Sequence, residues 1–209
     1  MSDWRTWRYC GQGVLSMYLP EVARGLAVDD RRFALKRATD DAHARVEDIV
    51  QRAGMFATRE GYLRYLEATF AMRAKYERLL DASAAELVWA EWPARRIAGL
   101  VGQDIADLGG VAAPEEYRDG PVSTAELLGV LYVLEGASVG ARMLVRSVAE
   151  MGLTAEFGAR HMFRQAGDRD AWRSFLAMMA AAPEAPCHDA ARATFNAFAD
   201  AYREAAARA

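Results

Sequence analysis

Apolar residues return every three or four positions along almost the whole chain, and β-branched runs are scarce, a pattern that fits amphipathic helices rather than strands. The expected class is all-α. Residues 1–30, interrupted by Gly11, Gly13, Pro20 and Gly25, read as an extension of undefined structure, and residues 31–209 as one multi-helix domain. Asp29 and Asp30 are placed to cap a helix from about Arg31 to Arg52 that Gly54 ends. Thr58 caps a second helix reaching roughly Leu80, and shorter helices fit Ala84–Ala90 and Ala94–Leu108, with Gly109–Gly110 closing the latter before a loop over Val111–Gly120. Ser123 with Glu126 three residues on is a capping-box signature. It opens the longest apolar helix, Thr124 to Met151, with Gly152 just past its end. Helices around Ala155–Gln165, over Asp168–Ala182 before Pro183 and Pro186, and from about Asp189 to Arg208 complete the pattern.

Composition narrows the function classes. Over 209 residues, 53% hydrophobic and 26% charged content supplies both a core and a solvated exterior. A net charge of -3 gives no basic footprint for nucleic acid or an anionic membrane. Uninterrupted apolar stretches such as Val130–Leu134 are far shorter than the ~20 residues that span a bilayer. The N-terminus mixes Trp4, Arg5, Trp7 and Arg8 with polar residues and has no leader pattern, so a cytoplasmic protein is expected. Cys10 and Cys187 form no CxxC pair, which argues against a disulfide framework or structural zinc.

Two features stand out. Interior glycines cost a helix ~1 kcal/mol each relative to alanine, and the Thr124–Met151 helix carries Gly129, Gly136 and Gly140. Their spacing puts all of them in one stripe, flanked by Tyr132, Val133, Met143 and Ser147. Either another helix crosses there at close range, or something flat and apolar lies against bare backbone. The second feature is His43, mid-helix, with Lys36 two turns before it and Glu47 one turn after it. A neutral imidazole is a common iron ligand that gives its other N–H to a carboxylate, a role open to Glu47. Lys36, ~10 Å along the axis, could reach an anion at the edge of a large ligand. The alternative is a partly exposed polar residue in a helix that also holds Arg37, Asp40, Asp41 and Arg45. His161 and His188 suggest no role. Asp40 and His43 have the spacing of a di-iron ligand pair, but no second such pair is present.

Leu35-Lys36-Arg37-Ala38-Thr39-Asp40-Asp41-Ala42-His43 and Leu131-Tyr132-Val133-Leu134-Glu135-Gly136-Ala137-Ser138-Val139-Gly140-Ala141-Arg142 together resemble the bacterial biliverdin-forming heme oxygenases, especially the bacteriophytochrome-associated type. The likeness continues through Ala171-Trp172-Arg173-Ser174-Phe175 and Ala193-Thr194-Phe195. It implies a helical fold that holds heme between a proximal helix, here bearing His43 as axial iron ligand, and a kinked distal helix, here with Gly136 and Gly140. It also implies Glu47 as support for the histidine, Lys36 and Arg173 as partners of the heme propionates, and Tyr132, Val133 and Met143 along the pocket. The reaction so implied uses O2 and electrons from an external ferredoxin- or flavoprotein-type donor to open heme to biliverdin, ferrous iron and carbon monoxide. A bacteriophytochrome could receive the product. A heme or tetrapyrrole carrier and a signalling module on the same fold are the rival readings. Ala137 stands where several members carry an aspartate, Ala141 where glycine is common, and Ala177 where some have a propionate-binding arginine.

Overall fold

The computed structural model describes residues 26–113, 120–182 and 186–208. Most expectations for residues 1–30 therefore lie outside the described residues. The first described helix, α1, runs Leu26–Arg52, so Asp29 and Asp30 lie within it and do not cap it. There follow α2 (Arg59–Ala82), α3 (Ala85–Val88), α4 (Trp92–Arg95), α5 (Ala98–Asp107), α6 (Thr124–Glu150), α7 (Arg160–Gly167), α8 (Ala171–Ala181) and α9 (His188–Ala206). Among the described residues the only β-type pairing is an isolated bridge, Thr154 to Gly158.

Local chemistry sets most of these boundaries. Thr58 Oγ1 accepts from Gly61 N at 3.1 Å at the start of α2, and the Ser123–Glu126 capping box opens α6. Gly54, Gly109 and Gly152 all take positive φ, the left-handed stop that glycine adopts without strain. At each, the next amide reaches back five residues: Met55 N to Val50 O at 3.2 Å, Gly110 N to Ile105 O at 3.0 Å, Leu153 N to Val148 O at 3.2 Å. These bonds occupy carbonyls that the helix ends would otherwise leave open.

Two boundaries come from tertiary contacts. The helix expected over Ala94–Leu108 is broken into α4 and α5, because the buried Glu77 carboxylate of α2 accepts from Ile97 N at 2.9 Å and Ala98 N at 3.1 Å and so caps α5. The helix expected from Ala155 begins only at Arg160. There Asp104 of α5, 0% exposed, accepts from Arg160 N at 2.9 Å and His161 N at 3.1 Å, with His161 Nδ1 2.8 Å away.

The core joins Leu66, Leu80, Ile105, Leu128, Leu131, Leu134 and Phe175, all fully buried. By length and composition α6 could cross a membrane, a test the individual apolar runs did not reveal. Here it is the central core helix, burying Leu127, Leu128, Leu131, Leu134 and Val148. Helix α9 is the common support: α1, α2 and α6 all pack along it, whereas α1 and α6 have no such shared seam. The last helix therefore holds the His43 helix and the glycine helix side by side, each packed along it rather than along the other.

Candidate active site

Tyr132 of α6 lies near the middle of α1. Burial pushes its phenol above the usual tyrosine range, with Thr39 and Arg32 opposing the shift and Asp40 adding to it. Thr39 lies one turn before His43 on α1, and Tyr132 one turn before Gly136 on α6. On α8, Trp172 stacks on Phe175 with ring centroids 5.4 Å apart and meets Tyr132 at a tilt, 5.7 Å away. A Cβ placed on Gly136 would meet only the far edge of the Trp172 indole, at 3.9 Å. One placed on Gly140 would meet nothing within 4 Å. Beyond it Met143 is 39% exposed on the same face. The second half of the stripe is thus backbone looking onto open space.

Gly129 behaves differently. A Cβ there would lie 2.6 Å from Cys187 O, 2.7 Å from Ala190 Cβ and 2.7 Å from Ala191 N. This glycine is where α9 crosses α6 at close range, so the stripe read from the sequence as one surface divides into a packing contact and an open wall.

On α1, His43 is held from two sides. Its Nδ1 is 3.1 Å from Glu47 Oε1, and its ring meets the buried Phe195 of α9 edge-on, with centroids 5.4 Å apart and planes at 88°. The side chain keeps 53% of its surface accessible. It is hemmed in by surrounding protein all the same: that burial lowers its pKa, Asp40 opposes the shift and Lys36 adds to it. Burial also raises Glu47 to about 7. At neutral pH the imidazole is therefore uncharged, with Nδ1 beside the Glu47 carboxyl group and Nε2 without a partner among the described contacts.

The remaining expected residues divide. Lys36 is bound to Asp40 at 2.8 Å, with its side chain 34% exposed. Arg173 is 77% exposed and pairs with Asp170 at 3.2 Å, so Trp172, not its neighbour Arg173, is the α8 side chain laid against the glycine face. Val133 is 6% exposed within the hydrophobic core. Val133 sits on the flank of the stripe that α6 turns inward. Ala137 and Ala177 are exposed, and Ala141 is buried at 3%.

Sequence reasoning gave no role to Thr39 or Phe195, although both lie in the quoted motifs, and none to Trp172. The three-residue step from Trp172 to Phe175 marks one face of α8, but only the fold shows what that face covers. The indole Nε1, on the opposite edge of the ring from the atom nearest Gly136, is buried without a hydrogen-bond partner.

A family model described as heme oxygenase matches residues 32–204. The chain belongs to the heme oxygenase family. The heme oxygenase PigA of Pseudomonas aeruginosa is 31% identical over 152 residues, covering 71% of this chain and 77% of that protein. The NO- and CO-bound heme oxygenase crystal structures from Neisseria meningitidis share the fold with a TM-score of 0.74 at 23% identity, covering 83% of this chain and 90% of that one. This all-α member of the heme oxygenase family carries His43 and Glu47 on α1 and Gly136 and Gly140 on α6, the two helices that α9 holds side by side.

Proposed function

We propose that this chain cleaves heme to biliverdin, releasing ferrous iron and carbon monoxide, with His43 as the axial iron ligand. One combination supports the reading: an uncharged imidazole beside Glu47 on α1 and, on the other helix packed along α9, backbone at Gly140 with nothing within 4 Å of where a side chain would begin. Bound heme would supply both the iron that activates O2 and the ring that is oxidised. The protein's share is positioning. Glu47 at Nδ1 fixes the ring orientation and leaves Nε2 its lone pair. Gly136 and Gly140 let a flat ligand approach peptide backbone, and Tyr132, Trp172 and Phe195 give apolar contact around it. Lys36 would exchange Asp40 for a propionate, and Arg173, already solvent-facing, would swing from Asp170 to another. With Ala137 supplying no carboxylate, the Trp172 Nε1–H is a donor for ordered water that brings protons. Electrons come from a ferredoxin- or flavoprotein-type donor, O2 from solution, in a cytoplasmic setting, and a bacteriophytochrome is a fitting recipient of the biliverdin.

The test loads purified protein and His43→Ala with hemin, then adds reductant in air. Native protein is expected to bind with the spectrum of imidazole-ligated heme and convert it to biliverdin, and His43→Ala to lose both. A bound heme that is never converted would identify a carrier, and an unchanged His43→Ala spectrum would remove His43 from the site.

A further inference from the structure

We propose that two buried charged residues behind α6, Arg73 through its bond to the Leu134 carbonyl and Glu135 from the adjoining position on α6, position the glycine segment, making both positioning residues for heme cleavage; that functional part rests on the reading above. Arg73 of α2 is 3% exposed. Its Nε donates to Glu77 Oε1 at 2.8 Å, its Nη1 to Leu134 O at 3.3 Å and its Nη2 to Arg95 O at 3.1 Å. Leu134 stands two residues before Gly136. In a helix its carbonyl also accepts the Ser138 N–H, the bond that spans Gly136. The next carbonyl, Glu135 O, takes the Ser138 hydroxyl at 2.7 Å. Both backbone acceptors that open the glycine segment therefore carry a second donor, and one of these is a buried cation.

The Glu135 side chain, 4% exposed, lies on the side of α6 away from Gly140. The charges that act on it are Arg73 of α2, Arg95 of α4, Glu91 just before α4 and Asp168 after α7, with Glu77 of α2 bound to Arg73. All of these are already committed. Glu77 holds Arg73 and caps α5, and Arg95 pairs with Glu91 and, at 2.6 Å, with Asp168. Glu135 makes no ion pair among the described residues. Burial raises its carboxyl to about 7, against the pull of Arg73 and Arg95 and with the repulsion of Asp168 and Glu91. When Glu135 ionises it competes with Glu77 for Arg73, and a guanidinium bonded to Leu134 O passes that pull to the backbone before Gly136. The open glycine face of α6 is thus coupled to a charge on the far side of its own helix.

The experiment follows the amide resonances of Gly136 and Gly140 in 15N-labelled, ligand-free protein between pH 6 and 8.5. Both are expected to shift with a midpoint near 7, to stop shifting in Glu135→Gln, and to keep shifting in Glu47→Gln, which removes the titratable carboxyl on α1. Glycine amides that do not titrate, or titrate unchanged in Glu135→Gln, overturn the proposal. Arg73→Lys keeps the charge but cannot reach both carbonyls. It is expected to displace the same amides already at pH 6 and to lower kcat for heme by roughly ten- to a hundredfold with little change in KM. Native-like amides and kcat in Arg73→Lys, or the same pH profile of kcat in Glu135→Gln as in native protein, would also refute it. The amide titration needs no heme, so it stands or falls separately from any failure of the native chain to cleave heme.

Discussion

The same substitution at two glycines of one helix face should act with opposite sign. Alanine at Gly129 puts a methyl group 2.6–2.7 Å from Cys187 O, Ala190 Cβ and Ala191 N, where ordinary contact begins near 3.4 Å. Two of these are backbone atoms at the start of α9, which cannot rotate aside, so α6 and α9 must separate. Overpacking of this kind costs about 1–3 kcal/mol, and rigid backbone puts Gly129 toward the upper end. Helix propensity returns ~1 kcal/mol, leaving a net loss of about 1–2 kcal/mol. At Gly140 the methyl group meets nothing within 4 Å, so only the propensity gain of ~1 kcal/mol remains. For a chain of this size 1 kcal/mol moves Tm by roughly 2–4 °C. Gly129→Ala should therefore melt several degrees below native protein and Gly140→Ala about 2–4 °C above it, read by far-UV circular dichroism and urea titration without ligand. In hemin titrations the order should reverse, with Gly140→Ala weakening binding and Gly129→Ala sparing it while folded. Tm shifts of the same sign in both variants would refute the division of the stripe into a packed and an open half.

Two further outcomes follow from the geometry. Asp104→Asn removes the buried charge on which Arg160, His161 and the first amides of α7 converge, while Arg160 keeps Asp107, and should cost about 1–3 kcal/mol; a thermal melt within about 2 °C of native would contradict it. Glu47, raised from 4.5 to about 7 by burial, keeps a proton in the folded state that the unfolded chain releases. Its contribution is present below the unfolded value and lost as pH rises through 7. His43, lowered by burial, acts in the other direction, favouring the fold above its unfolded pKa. Glu47→Gln should accordingly flatten the fall of Tm between pH 5 and 8, leaving the part due to Glu135, and an identical slope in the variant would show that this carboxyl does not titrate as described.

Much of the site was legible because its parts are local. The His43–Glu47 contact joins residues one turn apart on a single helix, so helical spacing alone predicts it. The bare backbone at Gly136 and Gly140 is likewise written in residue type. Val133 flanks the same stripe, and only the packing of α6 shows that this flank turns into the core. Trp172 and Phe195 could not be assigned to the pocket without knowing that α8 and α9 border it. The pairing of Arg73 with Leu134 O joins residues 61 positions apart, a separation that no periodicity encodes.

From sequence come the helices and their ends: Thr58 and the Ser123–Glu126 box fill free amides, and Gly54, Gly109 and Gly152 adopt positive φ at the stops. Each depends on atoms within a few residues, so the same local energetics act before the chain has a shape. Tertiary structure alone decided the break between α4 and α5, the delayed start of α7, and which glycines are covered. Those outcomes turn on the Glu77 and Asp104 carboxylates and on the approach of α9 to Gly129, contacts that exist only once distant helices have packed and excluded water.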